Sequence, residues 1–205
     1  VICETEKNLL AAGRVLSQVR HEAARSLEVA VQEKLAAVGM PKANFQVSFS
    51  LLQTEQPYPD GLDRLEFTLS PDGKLLHQPL KQVASGGEMS RILLALKSAL
   101  ASVDRVETLI FDEIDQGVSG RVAHMVGLQL LELARAHQVI VVTHVAQIAS
   151  LGQSHHSVRT TDGGALVKTL TEEERVQELA SLLASAGISE GALLNAREML
   201  DTAKT

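Results

Sequence analysis

The chain has 205 residues, of which 45% are hydrophobic, and a formal net charge of −6 at pH 7. It can bury a core, and its acidic balance with only 2% aromatic residues argues against a surface built throughout for nucleic acid. No apolar run reaches the roughly 20 residues that span a bilayer, and the N-terminus lacks the pattern of a secretory signal. We therefore expect a globular protein of the cytoplasm without a membrane partner.

A long amphipathic pattern fills the first part of the chain, residues 4–38. Its apolar positions recur every three or four residues and are Leu9, Leu16, Val19, Ala23, Leu27, Val31, Leu35 and Val38. The spacing predicts one helix, which Gly39-Met40-Pro41 ends. A surface helix and a helix paired along its side in a coiled-coil arm both fit this stripe, and its length and narrow width favour the arm. Because the chain starts at Val1 already in this pattern, we expect a segment of a longer protein.

Two strands and a helix are predicted next. Apolar residues alternate with polar ones over residues 45–51 and again over 65–69, so each strand should bury one face. Turn-rich segments at 55–61 and 70–74 bound the second strand. A helix is then predicted from Ser85 to about Ser102.

The rest of the chain has the pattern of a parallel sheet with flanking helices. Short apolar runs at 106–111 and 138–142 stand on either side of a helical pattern at 121–137. Strand, helix and strand with nearly continuous apolar strands predict a βαβ unit in a buried parallel sheet. A hairpin is predicted around residues 162–164. The last predicted helices are 172–185 and 190–202.

The segment Ser85-Gly86-Gly87-Glu88 begins the first of these helices with two poor helix formers. Ser85 and Glu88 fit a capping box, in which each side chain accepts a hydrogen bond from the other residue's backbone N–H. The box leaves the two glycines unexplained, since each costs roughly 1 kcal/mol against alanine. Glycine permits close approach to the backbone, and the N–H groups of a helix N-terminus bind phosphate. The segment is therefore either a cap alone or a phosphate contact.

Polar residues follow both strands of the βαβ unit. Asp112-Glu113 and Asp115 come after the first strand, and Thr143-His144 after the second. The carboxyl ends of parallel strands meet at one edge, where open α/β sheets bind ligands. Each residue alone is explained by capping or packing, but together they indicate a site.

The chemistry of these residues suits phosphoryl transfer. Adjacent carboxylates at a strand end point in opposite directions, so one of Asp112 and Glu113 can hold Mg²⁺ while the other orients or deprotonates a water. His144 can donate a hydrogen bond to a phosphate oxygen. No G-x-x-x-x-G-K-[ST] segment, which would wrap the β and γ phosphates, occurs in the sequence. We therefore expect this chain alone to be an incomplete ATPase.

The order and wording of these segments resemble a known family. "SGGE" before a helix, "LIFDEID" and "VVTH" look like the signature motif, Walker B, D-loop and switch histidine of ABC-type ATPases. "VASGGEMSRILLALKSAL", "TLIFDEIDQGVSGRVA", "QVIVVTHVAQIAS" and "TEEERVQELASLL" are similar to the RecN family of bacterial DNA-repair ATPases, relatives of the SMC proteins. The resemblance covers nearly all of residues 75–200. It implies an α/β fold, the C-terminal lobe of an ABC-type ATPase head over 39–205, preceded by the returning helix of a coiled-coil arm over 1–38.

The resemblance implies that ATP and Mg²⁺ are bound between two heads of a dimer. Ser85, Gly86 and Gly87 would contact the γ-phosphate of ATP held by the opposite head, with Glu88 completing the signature segment. Ala84 and Glu88 depart from the Leu-Ser-Gly-Gly-Gln of transporters and fit the repair branch. The implied partners are the N-terminal lobe of the head, a second head and DNA, at a nucleoid-associated location.

The resemblance also implies roles at the sheet edge. Asp112 would serve Mg²⁺ through water, and Glu113 would be the base that activates the attacking water. Asp115 would cross the dimer interface as the D-loop, and His144 would sense the γ-phosphate. Arg91 is a further candidate for the interface.

Three alternatives remain. One is another SMC-like ATPase or a transporter subunit, and a second is a non-catalytic dimerisation module. A third is a carboxylate-metal nuclease built on Asp112, Glu113 and Asp115. The adjacent His155 and His156 diverge on a strand, so we expect no metal site there.

Overall fold

The computed structural model describes residues 2–51, 59–73, 76–82, 86–161, 164–184 and 187–203. The chain forms two compact units, Val1–Ser85 and Gly86–Thr205. None of the helices in these described stretches is both long and apolar enough to cross a membrane. The candidate site residues from Gly86 onward all belong to the second unit, whereas Ser85, and with it the predicted capping box, lies outside the described residues.

The first unit combines one long helix with a small antiparallel sheet. Its elements are α1 (Ile2–Ala37), β1 (Asn44–Leu51), β2 (Asp63–Ser70) and β3 (Gln78–Pro79), with a 3₁₀ turn at Leu80–Gln82. The strand order is β1-β2-β3. Glu28 of α1 accepts a 2.8 Å hydrogen bond from the backbone N–H of Val47, and Val31 and Leu35 are fully buried. The predicted helix and strand pair are confirmed.

Some predicted core positions of the first unit are exposed. Leu9, Leu16 and Val19 lie on the N-terminal half of α1 and remain open to solvent. On β2, Leu65 and Phe67 are also exposed, although the alternation predicts one buried face. On the C-terminal half of α1, Glu28 bonds to β1 and Gln32 bonds to Ala43 just before that strand.

The second unit is an α/β lobe. Its helices are α2 (Gly86–Leu100), α3 (Gly120–Leu133), α4 (Ala146–Ala149), α5 (Glu172–Leu183) and α6 (Glu190–Thr202). Its strands are β4 (Thr108–Phe111), β5 (Gln138–Val141), β6 (His156–Thr161) and β7 (Gly164–Thr169). β4 and β5 pair in parallel with α3 as the connection, and β6 pairs with β7 as an antiparallel hairpin. The predicted βαβ unit and hairpin are thus confirmed.

The parallel sheet is buried on one face only. Leu109 and Phe111 of β4 are buried. The fully buried core of the lobe includes Ile92 of α2, Ile114 of the loop after β4, and Val126 of α3. The opposite face of the sheet is open to solvent. Ile110, Ile140 and Val142 are 67%, 44% and 58% exposed. The expectation of a parallel sheet buried on both faces is therefore wrong for the described chain, because its helices cover one side alone.

Candidate functional site

The two strand ends of the βαβ unit lie side by side. β4 and β5 run in register from Thr108 opposite Gln138 to Phe111 opposite Val141. The backbone N–H of Val142 continues the pairing with a 2.9 Å hydrogen bond to the oxygen of Phe111. The segments that follow, Asp112-Glu113 and Thr143-His144, therefore leave the sheet at the same edge, as their sequence positions predict.

Glu113 adopts a backbone conformation that is unusual for its residue type. Its φ of 57° makes it the one residue other than glycine with positive φ among the residues that the structure describes. Such a conformation costs on the order of 1–3 kcal/mol. Two hydrogen bonds hold it, from the N–H of Glu113 to Oδ1 of Asp112 at 2.9 Å and from the N–H of Gln116 to the oxygen of Glu113 at 3.1 Å. Strain of this kind clusters at functional sites, which supports Glu113 as a site residue.

The strained turn places the carboxylate of Glu113 directly against Gly86, at the start of α2. A Cβ added to Gly86 would lie closer to Oε2 of Glu113 than Cβ atoms approach other atoms in real structures. Gly86 and Glu113 were predicted as site residues from different motifs, 27 positions apart in the numbering of the sequence. The structure brings them into contact within one chain, and glycine is the residue that allows it.

Gln116 is a neighbour of the candidate site residues that the sequence patterns did not indicate. Its Oε1 accepts a 3.1 Å hydrogen bond from the backbone N–H of Gly87, and its backbone oxygen accepts a 2.8 Å bond from Nη1 of Arg91. A Cβ on Gly87 would lie 2.8 Å from that same backbone oxygen. Gln116 therefore ties the first turn of α2 to the loop after β4. No short-range motif predicts a contact between residues so far apart in sequence.

Arg91 lies inside the lobe, with 8% of its surface exposed. Burial lowers the pKa of its guanidinium, and the nearby Glu88 acts in the opposite direction. Glu88 itself lies in the first turn of α2. The contact with Gln116 gives Arg91 a role within the chain, while its predicted place at a dimer interface stays a prediction.

Asp115 is buried and contacts the loop after β5. Its Oδ2 accepts hydrogen bonds from Oγ1 of Thr143 at 2.5 Å and from the N–H of His144 at 2.9 Å. The same oxygen lies 3.2 Å from Nδ1 of His144. The predicted D-loop role of Asp115 stays a prediction, whereas its contact with the candidate switch histidine is a feature of the chain itself.

Asp112 has the surroundings of a residue that can reach a bound cation. Its side chain is exposed, and only its Oδ1 receives a described hydrogen bond, from the N–H of Glu113. Its backbone oxygen accepts a 2.9 Å bond from Oγ of Ser90, which fixes the loop to α2. No group of three or more His, Cys, Asp and Glu side chains within the described ranges is arranged to hold a metal. An exposed carboxylate of this kind can serve as one ligand of a hard cation such as Mg²⁺.

The two adjacent histidines contact different neighbours. Nε2 of His155 lies 3.5 Å from Nη2 of Arg175, and the same nitrogen of Arg175 donates a 2.7 Å bond to the oxygen of Gly152. Burial, and then the charge of Arg175, lower the pKa of His155. His156 instead contacts Thr169 through Nδ1 at 3.1 Å. His155 therefore belongs to the contact of the loop before β6 with Arg175 of α5, and His156 to the pairing of β6 with β7.

Known proteins similar to this chain were found among sequences and among solved structures, while no protein-family model matches it. The chain is 40% identical over 207 residues to the DNA repair protein RecN of Streptomyces coelicolor, covering 93% of this chain and 36% of the relative. It is 38% identical over 221 residues to the RecN of Mycobacterium leprae, covering 98% and 38%. The RecN of Treponema pallidum is 38% identical over 200 residues, covering 94% and 35%. The chain thus spans little more than a third of the length of these relatives.

The solved structures show the fold. An Smc head domain with a coiled coil and joint from Pyrococcus yayanosii matches with a TM-score of 0.59 and 22% identity, covering 82% of this chain and 31% of that one. A structure described under ATP-driven dimerization and DNA-stimulated activation of SMC ATPases matches with a TM-score of 0.53 and 22% identity, covering 83% and 99%. This chain belongs to the RecN family of DNA repair proteins, and its fold is that of an SMC-type head domain.

Proposed function

We propose that this chain is the C-terminal part of a RecN-type ATPase head and supplies one half of a composite ATP-hydrolysing site. The observation that carries this proposal is the strained Glu113 at the carboxyl edge of the β4–β5 pair, the edge at which His144 also leaves the sheet. A carboxylate can activate water and a histidine can donate to a phosphate, while the glycine start of α2 can bind the phosphate of a nucleotide on the opposite head. In this proposal residues 39–205 form the lobe and residues 1–38 the returning helix of the arm.

Each site residue has a task in this proposal. Asp112 would hold Mg²⁺ through a water, and the cation would neutralise charge on the phosphates of a bound ATP. Glu113 orients and deprotonates the attacking water, and His144 donates to the terminal phosphate. Ser85, Gly86 and Gly87 face the nucleotide of the opposite head. Because the N–H of Gly87 donates to Gln116, a phosphate oxygen at that N–H has to displace the Gln116 amide.

The open face of the parallel sheet supports a missing lobe. Parallel sheets are usually covered on both faces, and a two-stranded sheet leaves strand edges to which further strands can pair. Ile110, Ile140 and Val142 form an apolar face that the helices of the second unit leave open. The sequence also has no G-x-x-x-x-G-K-[ST] segment. We propose that the N-terminal lobe of the same head supplies both the cover for this face and the phosphate-binding segment. It would add strands to the sheet and bind the β and γ phosphates.

The N-terminal half of α1 supports the arm. Leu9, Leu16 and Val19 recur on the helix at coiled-coil spacing and are exposed. A partner helix along this stripe would bury them. The relatives are named as DNA repair proteins, and one solved SMC structure is described by ATP-driven dimerization and DNA-stimulated activation. We extend a head dimer, DNA as a partner and a cytoplasmic, nucleoid-associated location to this chain.

The proposal is tested by ATP hydrolysis with this chain alone, the complementary lobe alone and the two joined. We expect turnover only from the joined head, and a loss of about 10²–10⁴-fold in its Glu113→Gln variant with ATP binding retained. Glu107→Gln is the matched control, because Glu107 is exposed and precedes β4 at the opposite end of the strand. Hydrolysis by this chain alone would contradict the claim of a half-site.

Two other outcomes separate the rival functions. If the joined head binds ATP and dimerises but hydrolyses none, the chain is a dimerisation module. Cleavage of DNA without ATP would indicate a carboxylate-metal nuclease. Asp115 is buried and accepts hydrogen bonds from Thr143 and His144. A nuclease site at this edge would therefore have Asp112 and Glu113 as exposed carboxylates but would lack Asp115 as a third. The geometry therefore favours the ATPase.

A further inference from the structure

Asp115 is a buried carboxylate with an unusual concentration of donors. It is 5% exposed, and Oδ2 alone receives Oγ1 of Thr143, the N–H of His144 and a contact from Nδ1 of the His144 ring. A buried charge is costly unless hydrogen bonds compensate it. All three compensating groups come from the loop after β5, so the position of Asp115 and the course of that loop depend on each other.

The same interaction continues along the loop. Oγ1 of Thr143 donates to Asp115 and also accepts a 3.0 Å hydrogen bond from the N–H of Val145. Val145 is the N-cap residue of α4, and its side chain makes no capping bond. The chain of contacts from Asp115 through Thr143 therefore fixes the path from the end of β5 into α4, with His144 held in the middle.

The His144 ring is held at one nitrogen and open elsewhere. Its side chain is 80% exposed, while Nδ1 lies 3.2 Å from the buried Oδ2 of Asp115. The negative charge of Asp115 attracts an N–H dipole and repels a nitrogen lone pair, so a ring nitrogen this close favours the neutral form that carries its proton on Nδ1. Nε2 is then the nitrogen left without a proton, available to a ligand.

We propose that Asp115 is a positioning residue for His144, whose buried carboxylate fixes the backbone, the ring orientation and the Nδ1–H form of that histidine at the end of β5. The relevance of this positioning role to ATP hydrolysis rests on the proposed function. The contacts between Asp115 and His144 do not depend on that function. A carboxylate that orients a histidine from behind is a common arrangement wherever the other ring nitrogen meets a ligand. Asp115 would thus act within its own chain, through His144.

The tautomer of His144 tests this directly. Long-range proton–nitrogen correlation spectra of the 205-residue chain at about pH 9, where imidazole is neutral, distinguish Nδ1–H from Nε2–H rings. We expect His144 in the Nδ1–H form in the unmodified chain, and a shift toward Nε2–H in Asp115→Ala. Thr143→Val is the matched variant, since it removes one donor to Asp115 and keeps the contact with the His144 ring. His124, which is exposed on α3, provides in every spectrum the signal of a histidine ring away from Asp115.

The spectrum of the unmodified chain decides the proposal even if Asp115→Ala fails to fold. An Nε2–H ring at His144 in that spectrum would overturn it, as would an unchanged ring in a folded Asp115→Ala chain. In the joined head, Asp115→Ala should lower ATP turnover about 10–100-fold, and His144→Ala combined with it should add little. Should Glu113→Gln leave turnover unchanged while the tautomer is as expected, the proposed function fails and the positioning role stands.

Discussion

Two adjacent glycines begin α2, and different neighbours constrain them. A Cβ on Gly86 would meet Oε2 of Glu113, the end of a movable side chain, whereas a Cβ on Gly87 would lie 2.8 Å from the backbone oxygen of Gln116. We expect Gly87→Ala to lower the free energy of unfolding by about 1–3 kcal/mol, because the backbone has to shift. Gly86→Ala should change it by less than about 1 kcal/mol, since alanine favours the helix.

Denaturant unfolding followed by circular dichroism measures both variants. Gly86→Ala should still reduce ATP turnover in the joined head, because the new methyl group displaces the Glu113 carboxylate. Equal unfolding free energies for the two variants would show that the backbone contact of Gly87 does not limit substitution.

Burial gives His155 a pH dependence whose sign can be worked out. Desolvation, followed by the charge of Arg175, lowers its pKa in the folded chain. The unfolded chain takes up the proton near the ordinary value of about 6.5 and the folded chain only at lower pH. The stability from the neutral ring is therefore complete above about pH 6.5 and is lost as the pH falls toward the folded pKa.

Replacing His155 with glutamine should flatten the fall in unfolding free energy just below pH 6.5. Unfolding titrations at a series of pH values measure this slope, with the exposed His124→Gln as the control. A slope in His155→Gln as steep as in the unmodified chain would mean that the burial of this ring has no energetic effect.

The sequence motifs indicated most residues of the candidate site but not the contacts that join these residues to one another. Gly86, Glu113 and His144 were found because each follows a recognisable local pattern. Gln116 has no such pattern, and its contact with Gly87 forms only when α2 lies beside the loop after β4. The inward contacts of Asp115 were missed for the same reason, since the partner loop is 28 residues away.

At the scale of elements, the periodicity of apolar residues predicted the long helices and the βαβ unit but missed the shortest strand and helix. The long α1 and the βαβ unit were predicted, whereas β3, with two residues, and α4, with four, are shorter than any repeat that could signal them. The helix predicted over 121–137 ends earlier, at Leu133. The chain must turn there to reach β5, and Nδ1 of His137 lies 2.6 Å from the oxygen of Val106 in that turn.

The N-terminus of α5 carries a complete capping box. Oγ1 of Thr171 accepts a 3.3 Å bond from the N–H of Glu174, and Glu174 accepts a 3.1 Å bond from the N–H of Thr171. Lys168 also pairs with Glu174, which ties β7 to the cap and lowers the pKa of that carboxyl. Thr171→Ala should lower the free energy of unfolding by about 1 kcal/mol. Thr160→Ala, on the exposed hairpin, is the control for denaturant unfolding, and an equal effect there would contradict the role of the cap.

At the scale of the whole molecule, the open sheet face predicts where the proposed N-terminal lobe joins. Ile110 and Ile140 lie opposite each other in the β4–β5 register and point to the uncovered side. Changing both to threonine removes about 1 kcal/mol or more of apolar burial per residue from a joint that covers them. We expect the affinity for the complementary lobe to fall at least about 10-fold, measured by titration calorimetry.

The stability of the isolated chain should hardly change, because both side chains are already exposed there. Val158→Thr with Val167→Thr is the matched control, since these two residues also lie opposite each other and are exposed on the β6–β7 hairpin. If the hairpin pair weakens the joint as much as the sheet pair, the lobe does not join through the open face. If only the sheet pair weakens it, the face that the helices leave uncovered is the surface on which the head is completed.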